Sequence, residues 1–139
     1  MKRITRIAAI ATVAIVAATL VSGCQATRSP VEPPQGVKVS IYQPRTDISL
    51  NRIAIKFAND GAEPLTITAA SLTSNFFAKE AVWTPGRTTT ISPGSAIDLR
   101  VEIPSVDSCD EGNSASAVHF GWSVGEVSGT SVVIPDDNF

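Results

Sequence analysis

The chain is poor in the side chains that carry most enzyme and metal chemistry. It has one histidine, His119, one tyrosine, two cysteines and a single methionine, Met1. A blue-copper centre wants two histidines, a cysteine and usually a methionine, and a zinc site wants four protein ligands or three with an open position, so no metal or other cofactor is expected. The cysteines are Cys24 and Cys109. If Cys24 is committed to a lipid, as argued below, Cys109 has no partner in the chain and the domain must fold without a disulfide. Long apolar runs are absent beyond the N-terminus, and charged residues make up only 17% of the chain.

The charge that is present is unevenly placed. Residues 1–23 hold three of the eleven basic residues (Lys2, Arg3, Arg6) and no acidic one, so residues 24–139 carry 8 basic against 13 acidic groups, a formal net of −5. That excess disfavours nucleic acid as a partner and electrostatic attachment to anionic lipid. A hydrophobic content of 43% is too high for a disordered chain, and the apolar residues fall in runs separated by Gly, Pro, Asn and Asp. The length suits one domain with a modest core.

The N-terminus has three parts. Lys2, Arg3 and Arg6 form a cationic start that stays on the cytoplasmic side. Residues Ile7 to Leu20 contain only Ile, Ala, Val, Leu and Thr, long enough for a signal-peptide apolar region and short for a membrane span. Val21-Ser22-Gly23-Cys24 then resembles the lipobox of bacterial lipoproteins, where an aliphatic and two small residues precede an obligatory cysteine. The resemblance implies that Val21, Ser22 and Gly23 are read by the signal peptidase, that Cys24 receives a diacylglycerol, and that cleavage leaves Cys24 as the first mature residue. The competing readings are an uncleaved anchor or ordinary secretion with a coincidental cysteine. An acyl chain gains roughly 0.8 kcal/mol per buried methylene, so a doubly acylated cysteine holds firmly. The expected location is the extracytoplasmic face of the cell membrane, lipid-anchored.

Residues 24–35 contain Pro30, Pro33 and Pro34 and few apolar side chains, which reads as a tether tending to polyproline II. At about 3.1 Å per residue it reaches roughly 30 Å. Residues 36–139 read as the folded domain. From Gly36 the apolar period is two: Val37, Val39, Ile41; Ile53, Ile55, Phe57; Leu65, Ile67, Ala69; Ile97, Leu99, Val101, Ile103; Val118, Phe120, Trp122, Val124; and a last run near Ser131 to Ile134. Turn signals at Asn59-Asp60-Gly61, Pro85-Gly86, Pro93-Gly94 and Glu111-Gly112-Asn113 separate them. Phe76 to Trp83 reads as a crossing segment that ends in a strand. About seven short strands at this spacing predict an all-β two-sheet sandwich.

Asn59 to Ile67, then Ser74-Asn75-Phe76, then Ile91-Ser92-Pro93-Gly94 and Ile97 to Val101 resemble a recurring pattern of immunoglobulin-like modules in bacterial envelope proteins. That architecture serves adhesion, assembly and spacing alike, so the resemblance implies a fold and no single activity. The whole chain is also similar to small actinobacterial lipoproteins.

The remaining candidates are few. Cys109 lies among Asp107, Asp110 and Glu111, whose charges raise a thiol pKa, so a structural cysteine is favoured over a redox or intermolecular one. Those acids suggest calcium, but the EF-hand pattern fails, with Cys109 at the third and Val118 at the twelfth position. By strand parity His119 faces solvent and Trp122 faces the core. Trp83, followed by Thr84-Pro85-Gly86, is the candidate partner contact. The leading expectation is therefore a non-enzymatic interaction or accessory module for an unknown envelope protein. The alternative is a ligand- or metal-binding envelope lipoprotein. A small enzyme ranks last, since it needs titratable groups brought together from distant strands.

Overall fold

The computed structural model of the chain describes residues 29–84, 89–106 and 115–137. Nine strands and one helical turn follow in order: β1 (Val37–Tyr42), α1 (Arg45–Ile48), β2 (Arg52–Asn59), β3 (Leu65–Ser74), β4 (Ala81–Val82), β5 (Thr89–Ile91), β6 (Ser95–Glu102), β7 (Ser116–Val124), β8 (Val127–Val133) and β9 (Asp136–Asp137). They form two sheets. The first has the order β6-β2-β1-β9, antiparallel except for the parallel β1–β9 pair; the second has the order β4-β3-β7-β8, with β5 also pairing β3. This is a two-sheet β-sandwich in which the segment after β3 lies beside β3 in two short pieces, β4 and β5, instead of beside β6.

The period-two pattern is what builds it. Val39 and Ile41 of β1, Ile53, Ile55 and Phe57 of β2, and Leu99 and Val101 of β6 point inward, and all are buried. Leu65, Ile67, Ala70 and Leu72 of β3 and Val118, Phe120 and Trp122 of β7 meet them from the second sheet. Phe57 and Phe120 make the central contact, edge to face at 5.1 Å and 66°, a geometry that aligns the ring quadrupoles.

The inward face of β3 departs from simple alternation. Ala69 was expected inside; it is exposed, and Ala70 is buried instead. The cause is a β-bulge: Ile67 pairs Trp122 and Ala69 pairs Gly121, leaving Thr68 as an extra residue. The extra residue reverses parity for the rest of the strand. Gly121 makes room for it, since a Cβ there would come within 2.5 Å of the Thr68 hydroxyl.

The β2–β3 turn is held by a buried side chain. Asn59 is only 2% exposed; its amide donates to the carbonyls of Glu63 (2.8 Å) and Ile91 (3.0 Å), and its Oδ1 accepts from Gly61 N–H (3.0 Å). Gly36, at φ +84°, lets the start of β1 press on this turn, where any Cβ would meet Gly61 N at 2.6 Å. One flank of the sandwich is closed by two segments that pass between sheets. Val31 N–H donates to Thr130 O of β8 (2.8 Å) before the chain enters β1, and after β8 the chain crosses at Pro135 to pair β9 with β1.

Asn59→Ala strips two carbonyls and one N–H of their partner inside the fold. Its expected cost is about 1–3 kcal/mol, measured as a lower urea midpoint with an unchanged denaturant slope; an unaltered midpoint would show that water substitutes for the amide.

Candidate functional site

The outer face of the second sheet carries a groove of about 440 Å³. Its floor is low because the outward positions of adjacent strands hold small residues: Ala69 and Ser71 on β3 and Gly121 on β7. Val82 and Trp83 rise on one side and Val132 of β8 on the other, so the floor on β3 and β7 lies between the two edges of the sheet. Val82 is 58% and Val132 40% exposed. Trp83, the candidate partner contact, is half-buried; its backbone N–H donates to Ala70 O (2.9 Å), and its side chain packs against the core while it lines the groove. Trp122 is in the core and His119 is exposed, as parity predicts.

Register brings together polar groups that sequence spacing does not. Ser71 and His119 are directly opposite each other on β3 and β7. The Ser71 hydroxyl donates to the Glu80 carboxylate, and His119 Nε2 lies 3.4 Å from Thr73 Oγ1. A serine, a histidine and an acid therefore share the groove, but not in the order that activates a nucleophile. The serine proton goes to the carboxylate, and the ring turns to Thr73 instead of accepting from Ser71. As arranged, these groups place hydrogen-bond donors and acceptors along the groove.

Residue-by-residue reading passes over one pattern, Gly121-Trp122-Ser123-Val124-Gly125, which matches the Gly-x-Ser-x-Gly of hydrolase nucleophile elbows. That motif needs a strand, a sharp turn and a helix. Here Ser123 lies inside the ladder, opposite Thr66 and Ser128, and a hairpin to β8 follows. His119 is four residues away along the same strand face, roughly 13 Å at strand rise, out of hydrogen-bond reach.

A second feature borders the groove at Pro30. Trp122 Nε1 donates to Ser131 Oγ (2.8 Å), and the Ser131 hydroxyl donates to Val31 O (2.7 Å). Ser131 is fully buried, so Val31 satisfies a hydroxyl that water does not reach. Gly129 leaves space for the same contact, because a Cβ there would be 2.7 Å from Val31 Cγ2 and 2.9 Å from Trp122 Cζ2.

The perturbed titrations lie on the opposite side of the molecule. On the outer face of the first sheet Asp47, 7% exposed on its side chain, accepts from Arg100 Nε at 2.6 Å. This bond and the attraction behind it raise the Arg100 pKa. Lys38 is raised by its bond to Asp60 at 2.7 Å. Tyr42 donates to Asp98 Oδ2 at 2.6 Å, and that bond pushes the phenol upward. Ala54, between Tyr42 and Arg100 in register, is buried in this cluster.

Among the described residues no three His, Cys, Asp or Glu side chains could hold a metal ion together, and no helix is long and apolar enough to cross a membrane. Val21, Ser22, Gly23 and Cys24 lie outside the described residues, as do Cys109, Asp107, Asp110 and Glu111. No family model matches the chain, and neither a curated protein nor a solved structure matches it.

Tyr42 is the only tyrosine, so phenolate absorbance reports it alone. Its midpoint is expected above 10.0 and should fall in Asp98→Asn. The sign follows from linkage: a raised folded pKa stabilises the fold below the unfolded value, and that contribution is lost as pH rises through the folded one. Equal midpoints in both proteins would remove the bond from the account.

Proposed function

We propose that the chain is a lipid-anchored protein of the actinobacterial envelope, in which a non-enzymatic immunoglobulin-like module presents its second sheet to another envelope protein. The observation that carries this reading is the N-terminal pattern, a cationic start, an apolar run and Val21-Ser22-Gly23-Cys24, followed closely by a folded β-sandwich. Diacylglycerol on Cys24 is the membrane attachment. Attraction to anionic lipid is not needed, which suits a mature part that is net acidic.

The groove supports the interaction half of the proposal. It joins exposed Val82 and Val132 with half-buried Trp83 and a few polar groups on one sheet face, the mixture found in contact surfaces. Its size also favours a second reading, an envelope protein that takes a small apolar ligand there, since ligand clefts span about 300–1,000 Å³. Saturable tryptophan fluorescence change with a small apolar compound, abolished by filling the groove floor at exposed Ala69 with Ala69→Leu, would favour the ligand reading.

Intact mass and membrane partitioning test the anchor. Wild type should yield a species starting at Cys24 with a diacylglycerol increment and should sediment with membranes; Cys24→Ala should lose both properties. A soluble, unlipidated wild type would overturn the anchored reading.

A further inference from the structure

β8 is an edge strand that lacks the devices by which sheet edges usually avoid pairing. Its residues, Val127 to Val133, include no charged side chain and no proline. The other edges are defended. β6 carries Asp98, Arg100 and Glu102 on its outer face. The edge opposite β8 is broken into β4 and β5, of two and three residues, and β9 has two residues.

Val31 covers this edge incompletely. Because Thr130 O accepts from Val31 N–H, strand alternation turns the N–H and C=O of Ser128, Thr130 and Val132 away from β7. Among the described residues, the Thr130 carbonyl is the only one of these edge groups with a backbone partner. Pro30, Pro33 and Pro34 have no N–H to offer, and the Val31 carbonyl goes to the Ser131 hydroxyl.

We propose that the β8 edge is a strand-accepting site for an extended, uncharged polypeptide segment of an envelope partner, and that Val31 is a placeholder which this segment displaces. The inference deepens the interaction reading and rests on it. Backbone donors and acceptors repeating every second residue are matched by another extended backbone and by little else. Val31 shows which side chain fits, a β-branched aliphatic seated over Gly129, the glycine that the Trp122 ring also approaches. The Ser131 hydroxyl is then available to the incoming carbonyl. Neutral β8 offers no charge for an acidic or basic segment to meet.

The test uses the full chain in detergent micelles and a synthetic peptide of residues 29–35 carrying Pro30→Thr, Glu32→Gln, Pro33→Thr and Pro34→Thr. Amide exchange followed by NMR should slow about tenfold or more at Ser128, Thr130 and Val132, with a shift of the Trp122 indole resonance. The same peptide with its prolines kept should give no protection. Thr130→Pro removes one edge N–H and should abolish the response, whereas Val31→Gly loosens the placeholder and should strengthen it. No protection at saturating peptide in wild type or Val31→Gly overturns the proposal. So does edge protection that grows with protein concentration without peptide, since the occupant is then a second copy. A lipid increment on Cys24 in the same preparation separates this failure from failure of the anchor.

Discussion

The domain depends on one apolar contact, the face where the two sheets meet around Phe57 and Phe120. Fully burying a side chain of that size contributes roughly 1.5–3 kcal/mol, and the inward residues of β1, β2, β3, β6 and β7 share the task. Because the inner faces supply the cohesion, the outer faces are free to differ. The first sheet spends its outer face on paired charges, with Asp47 and Arg100 over Ala54 and Tyr42 bound to Asp98. The second keeps small residues there, which leaves the groove.

Much of the fold was legible because a half-buried strand writes its orientation at period two. Val39 and Ile41, Ile53 to Phe57, Leu99 and Val101, and Val118 to Trp122 all sit on the side that alternation assigns them. β3 shows the limit. Ala69 and Ala70 are chemically identical, so nothing local decides which faces inward; the choice is made by Thr68 lying over Gly121 of another strand. The helical turn α1 is similar, since its Asp47 is held by Arg100 from far along the chain. The site was less legible than the fold. Trp83 could be singled out by size, but the groove beside it is made by the absence of side chains at Gly121 and their smallness at Ala69 and Ser71. The meeting of Ser71, Glu80 and His119 follows from register, which no single strand contains.

The N-terminal segment shows how composition and structure divide the same residues. Three prolines read as a spacer, and proline does keep residues 30–35 from joining a ladder. Yet Val31 between them is bonded twice to β8, once through its N–H and once through its carbonyl. On the anchored reading, the stretch between Cys24 and Val31 then spans at most about 24 Å when extended. The module would leave the membrane from its β8 edge, with the groove rim at Pro30 beside the point of departure.

That placement sets up a competition. A segment on the same chain acts at a high effective concentration, so even one backbone bond keeps an edge covered against chance pairing. An incoming strand must do better, and the prolines define how: it gains the outward groups of Ser128 and Val132, which the resident segment cannot reach. A weak cover over a neutral edge thus discriminates by backbone chemistry. Segments that can offer a run of N–H groups displace Val31, and those interrupted by proline do no better than the chain itself.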